Sequence, residues 1–193
     1  FAPMNDHIIS ADLGSNELWF STIEEEKLVP VTPQKIAMEP GAGPRHLCFH
    51  PRHQWFYVLN ELNGTVTQVE VLADGSYQIQ STHSTLDAEY TAENYAADIH
   101  ISTDGRFLYA SNRGPNDLAI FEVNADNGQL TLLSNTSTQG IWPRNFCFSP
   151  DENYLLVAHQ YSDDISWFKR DKDTGLLEFV SQVRAPSPVC LLF

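Results

Sequence analysis

One phrase returns four times along this chain, and its period limits the fold to a repeat of small β-sheets. The clear copies are RHLCFHPRHQWFYVLNE (45–61), ADIHISTDGRFLYASNR (97–113) and RNFCFSPDENYLLVAHQ (144–160), and a fainter one, PMNDHIISADLG, opens at Pro3. The anchors Pro3, Pro51, Thr103 and Pro150 lie 48, 52 and 47 residues apart. That period suits one four-stranded antiparallel sheet per repeat, which is the blade of a β-propeller.

Each clear copy parses alike. An alternating run such as His46-Leu47-Cys48-Phe49 predicts a first strand, and a Pro/Asp/Gly/Asn turn leads to a second such as Phe107-Leu108-Tyr109-Ala110. A polar loop and a third strand follow (Ile165-Ser166-Trp167-Phe168 in the last copy). The turns Asp74-Gly75, Asn127-Gly128 and Thr174-Gly175 then lead into a fourth strand. In the faint first copy Ile8–Ala11 and Glu17–Phe20 read as second and third strands. No segment sustains a helical period. The stretch 81–96 is longer than its counterparts and is expected to be a loop. The chain therefore reads as all-β, with residues 1–193 forming four blades of one propeller domain. An open arc would leave raw sheet edges, and Phe1 falls almost at once inside the first repeat, so further blades are expected upstream.

The net charge of −14 disfavours nucleic acid, whose phosphates need clustered Lys and Arg. Three cysteines without CxxC spacing do not make a disulfide framework. Cys48 and Cys147, each three residues before an anchor, are expected to be small buried hydrophobes. No signal peptide or long apolar run is present, and a cytoplasmic location is expected. No metal-ligand motif, GxSxG elbow or phosphate-binding glycine loop occurs, so no metal or organic cofactor is expected.

The repeat also locates a site. In an up-and-down blade, the loop entering the first strand and the loop leaving the second share one face. Arg45 and Arg144 each lie six residues before their anchors, and Glu61, Arg113 and Gln160 each lie ten after. Equivalent positions that hold different charged groups suggest a pocket near the axis to which each blade contributes one piece. Charged strand ends are also commonly solvated, and an Arg45–Glu61 pair has a purely structural reading. His7, His50, His53 and His83 read as turn or loop residues at the surface, Trp19, Trp142 and Trp167 as packing, and Asp163-Asp164 as a solvated loop tip.

Taken in order, Gly43-Pro44-Arg45-His46, Asn60-Glu61-Leu62-Asn63, Ala97–Ser102, Asp104–Tyr109 and Ser111-Asn112-Arg113 resemble the propeller lactonase family, which includes 6-phosphogluconolactonases and carboxy-cis,cis-muconate cyclases. The resemblance runs the whole chain and implies four blades of a seven-bladed ring. It implies a site on one face using Arg45, Glu61 and Arg113, with the family's catalytic histidine expected upstream of Phe1. Hydrolysis of a sugar-acid lactone is the implied activity, 6-phosphogluconolactone first, with no metal. Glu61 is the candidate base or histidine orienter, and Arg113 and Arg45 the candidate oxyanion or phosphate binders. Arg144 is the candidate for the distal phosphate, and His46, His100 and Asn112 for lining the substrate pocket. A muconate cyclase holding carboxylates with the same arginines, and a non-enzymatic propeller that binds a protein on its face, are the alternatives.

Overall fold

The computed structural model describes residues 6–193, so the anchor at Pro3 lies outside the described residues. Fifteen strands and no helix occur among them. The first sheet holds β1 (Ile8–Asp12), β2 (Glu17–Glu24) and β3 (Lys27–Ala37). The second holds β4 (Pro44–Phe49), β5 (Trp55–Asn60), β6 (Thr65–Val71) and β7 (Tyr77–Ser84). The third holds β8 (Ala96–Ile101), β9 (Phe107–Asn112), β10 (Asp117–Val123) and β11 (Leu130–Ser137). The fourth holds β12 (Pro143–Phe148), β13 (Tyr154–His159), β14 (Asp164–Arg170) and β15 (Leu177–Arg184). Every sheet is an antiparallel meander in chain order, and β4, β8 and β12 lie side by side as the innermost strands.

The core is a stack of layers between blades. Alternation along one strand feeds two layers at once, because successive side chains leave opposite faces. On β5, Phe56 and Val58 pack with Leu18, Phe20 and Val69 toward the first sheet, while Tyr57 and Leu59 pack with Leu108, Ala110 and Phe121 toward the third. On β9, Phe107 and Tyr109 face Phe146, Val157 and Phe168 of the fourth sheet. The layers are laced by phenols: Tyr57 and Tyr109 donate to the carbonyls of Gly128 and Gly175, at 2.8 and 2.6 Å, in the last hairpin of the following blade. Both glycines have φ above +70°, and an added Cβ would strike Trp55 or Phe107.

Several surface expectations are corrected. His50 is buried, and its Nδ1 accepts from the backbone N–H groups of Arg52 and His53, so it organises the turn rather than decorating it. His53 stacks on Trp55 with ring centroids 4.4 Å apart. His83 lies within β7, its Nε2 3.0 Å from Ser81 Oγ. His7 is half-buried, with Nδ1 2.6 Å from the Tyr77 hydroxyl. The expected loop at 81–96 begins only after β7 closes at Ser84. Cys48 and Cys147 are part-buried and unpaired, and Cys190 is exposed.

Asp164 is not a solvated tip. It is buried and lies 2.8 Å from Nδ1 of the fully buried His159. The same register is used in each clear repeat: the last residue of the second strand, buried, meets the first residue of the third, as Asn60–Thr65 and Asn112–Asp117, both 2.9 Å, and His159–Asp164. Gly140 lies against the His159 ring, where an added Cβ would fall 2.4 Å from Cγ. Gly140→Ala should therefore destabilise the protein by about 2 kcal/mol, the scale of overpacking in a closed interior. Urea unfolding monitored by tryptophan fluorescence checks this.

Candidate functional site

Each innermost strand carries a β-bulge near its start. The pairing slips between Pro44 and His46, between Ala96 and Ile99, and between Pro143 and Asn145. A bulge re-aims side chains without ending the ladder, which is why such kinks recur beside functional sites. The exit registers are fixed by one hydrogen bond repeated in each blade: Glu61 N–H to Gly43 O (2.7 Å), Arg113 N–H to Tyr95 O (3.0 Å) and Gln160 N–H to Trp142 O (3.1 Å). Bulge and exit loop thus face each other at the same height in successive blades.

Three predicted residues meet there. Arg45 Nε lies 3.0 Å from one Glu61 carboxylate oxygen, and Arg113 Nη2 lies 3.0 Å from the other. The carboxylate is clamped between two guanidinium groups from different blades. Arg113 is almost fully buried, and its Nε donates to Tyr95 O at 3.0 Å. Arg45 Nη1 donates to the carbonyl of Ala97 and to His46 Nε2. Burial lowers the Arg45 pKa and the Arg113 charge adds to this, while Glu61 pulls the other way; Arg144 is close enough to lower it further. Arg144 itself donates to Gln160 Oε1 at 3.4 Å. The rim is therefore cationic within an acidic protein.

Asp98, which the sequence reading passed over, sits beneath this rim. It is 4% exposed and collects five donors: His46 Nδ1 and Ile99 N–H on one oxygen, and His100 Nε2, Asn145 Nδ2 and Phe146 N–H on the other. Because Arg45 can only donate to His46 Nε2, the His46 Nδ1–H points at Asp98. Burial alone would raise the Asp98 pKa, but the hydrogen bonds from His100 and His46 hold it far below the usual carboxylate range. His46, Asp98 and Asn145 each lie five residues before their anchors, so one register supplies a hydrogen-bonded chain from three blades, centred on Asp98. An acidic residue inside an otherwise buried run, Ala-Asp-Ile-His-Ile, was the available signal, because a buried charge must be partnered.

Two expectations are corrected. Asn112 does not line a pocket: it is fully buried, and its amide is used by Thr85, Asn94 and Asp117, tying the 85–95 loop to the third blade. Trp142 is more than packing, since its ring stacks on Tyr161 (4.9 Å) and lies 5.3 Å from the Arg113 guanidinium. No group of three or more His, Cys, Asp or Glu side chains placed to hold a metal occurs among the described residues.

A family model described as lactonase, 7-bladed β-propeller matches residues 1–193. A 6-phosphogluconolactonase of Bacillus subtilis is 35% identical over 195 residues, covering 100% of this chain and 55% of the relative. One of Formosa agariphila is 38% identical, covering 94% of this chain and 52% of its own. The solved periplasmic gluconolactonase of Pseudomonas aeruginosa superposes with a TM-score of 0.92 at 33% identity, covering 97% of this chain and 53% of that one. The chain spans about half the length of the curated relatives it matches.

Proposed function

We propose, since this chain belongs to the lactonase family of seven-bladed β-propellers, that it carries the arginine–glutamate part of a site hydrolysing a sugar-acid lactone, 6-phosphogluconolactone first among them. The observation that carries this reading is the clamp Arg45–Glu61–Arg113, two cations held by one carboxylate at a rim shared between blades.

Water adds to the lactone carbonyl, the carbonyl oxygen takes up negative charge, and the ring C–O bond then breaks, its oxygen leaving as a hydroxyl with a proton gained. Arg45 Nη2 and Arg113 Nη1 enter no hydrogen bond among the described residues. They are the donors for the developing oxyanion, where fixed positive groups are worth most. Glu61, with each oxygen already facing a guanidinium, fits the role of aligning the two arginines, or of orienting a histidine base, better than that of taking the water proton itself. In this reading Arg144, on the same rim, adds a contact to a distal phosphate. The reading assigns no metal to the step. A cytoplasmic location belongs to the same proposal, resting on three unpaired cysteines, although the Pseudomonas relative is named periplasmic.

The test is a direct assay of the purified protein on 6-phosphogluconolactone, unphosphorylated gluconolactone and carboxymuconate. Faster hydrolysis of the phosphorylated lactone is the expected result. Cyclisation of carboxymuconate with no lactone hydrolysis above the spontaneous rate would replace this reading with the cyclase, and inertness toward all three would leave a binding scaffold.

A further inference from the structure

Beside Arg113, on the face of the clamp, a cleft of about 360 Å³ opens between the third and fourth blades. Its walls are Glu93, Tyr95, Arg113, Ile141, Trp142 and Tyr161. Its aromatic floor sets the last blade apart from the earlier two. Eight residues before the anchors stand Gly43, Tyr95 and Trp142, and eleven after stand Leu62, Gly114 and Tyr161. Only the last copy puts an aromatic residue at both registers. In the second blade, a Cβ on Gly43 would strike Leu62 at 2.6 Å, so the equivalent space is closed.

The platform is also built at a cost. Trp142 has φ 70°, a left-handed conformation that a bulky side chain adopts only when the surroundings impose it. Here its N–H donates to Asn116 Oδ1 at 2.8 Å, its C=O accepts from Gln160, and the indole stacks within 24° of the Tyr161 ring. Packing does not require this, for Tyr161 is 62% exposed and Ile141 53%. The indole is covered by Tyr161 and by the Arg113 guanidinium, so the ring left open to solvent is that of Tyr161, backed by Trp142 and edged by the Glu93 side of the cleft.

We propose that this cleft is a sugar subsite, in which Tyr161, backed by the Trp142 indole, stacks against the C–H face of the non-reacting part of the substrate while Arg113 faces the reacting carbonyl. Aromatic platforms with a few polar groups at the edge suit ligands that are apolar on one face and hydroxylated around the rim. The volume, at the small end for ligand clefts, fits one ring rather than a chain of them. Arg113 belongs to both halves: one edge meets Glu61, and its plane lies near the indole. This inference rests on the lactonase reading for its choice of ligand, and it assigns specificity to residues outside the clamp.

The test compares a sugar-acid δ-lactone with δ-valerolactone, which lacks every ring substituent. Tyr161→Ala and Trp142→Ala should raise KM for the sugar lactone about tenfold, with kcat for Tyr161→Ala held within about twofold. Trp142→Phe should recover most of the affinity, and the KM for δ-valerolactone should not change in Tyr161→Ala, whose ring does not touch Arg113. An unchanged KM, or an equal rise for both lactones, overturns the subsite. If the wild-type protein hydrolyses neither lactone, the lactonase reading fails by itself and the subsite is decided by binding. Tryptophan fluorescence quenched by millimolar gluconate in the wild type and not in Trp142→Ala supports it, and no quenching in the wild type overturns it.

Discussion

Glu61→Gln should lower kcat/KM for the lactone about a hundredfold, and Arg113→Ala by a similar factor, the scale seen when one fixed electrostatic group is removed. The glutamine keeps shape and volume, so the fold survives while the charge that holds Arg45 and Arg113 together disappears. The two cations, already near enough for the Arg113 charge to help lower the Arg45 pKa, then repel one another and leave the oxyanion position. The pH profile separates the two roles open to Glu61. An aligning carboxylate lowers the rate at every pH, whereas a base removes the acidic limb of the profile. Arg113→Lys should recover little, because an ammonium cannot hold Glu61, the Tyr95 carbonyl and a substrate oxygen in one plane. The combined Glu61→Gln/Arg113→Ala variant should be little worse than either alone, since the pair acts as a unit. Normal rates from both single variants with intact folding would refute the clamp as the site.

Asp98→Asn should be the most damaging change to stability, about 3 kcal/mol, as for one partner of a buried charged network, or on the order of 10 °C in Tm. Five donors converge on the carboxylate, and an amide offers one acceptor oxygen and turns an NH2 group toward the rest. The acid response carries the signature. Because the folded Asp98 pKa lies below its unfolded value, its contribution is complete above the unfolded carboxyl pKa of about 3.9 and is lost as pH falls from there toward the folded value. The stability difference between wild type and Asp98→Asn should therefore be flat from pH 5 to 7 and shrink below about pH 4. Urea midpoints measured across that range check it, and a difference that stays constant down to pH 2 would show that the carboxylate charge is not what the network uses.

The repeat made the fold legible, because a blade is written as four short alternating strands with turns at fixed offsets. It made Arg45, Glu61 and Arg113 legible too, since equal offsets from the anchors mean equal heights in successive blades. Asp98 was less legible because it lies one register inside the strand, where only the folded bulge brings His46, Asp98 and Asn145 of three blades together. His50 and Asp164 escaped for another reason. Asx-, His- and Pro-rich turns look solvated in sequence, yet His50 accepts two backbone N–H bonds and Asp164 faces a buried imidazole. Trp142 reads as packing in sequence, and nothing in its local sequence announces its left-handed backbone or its contact with Tyr161 nineteen residues on.

The slipped pairings at the head of β4, β8 and β12 share a geometry and differ in what they hold. Each kink is held by main-chain bonds and bordered by layers that do not involve the residue it displays. The residue at the slip is an arginine in β4 and β12, whereas in β8 the slip spans the fully buried Ala97 and the network carboxylate of Asp98. The slips of β4 and β12 therefore present a charge that can be exchanged without touching the layers between blades, whereas the slip of β8 is tied into the framework through Asp98.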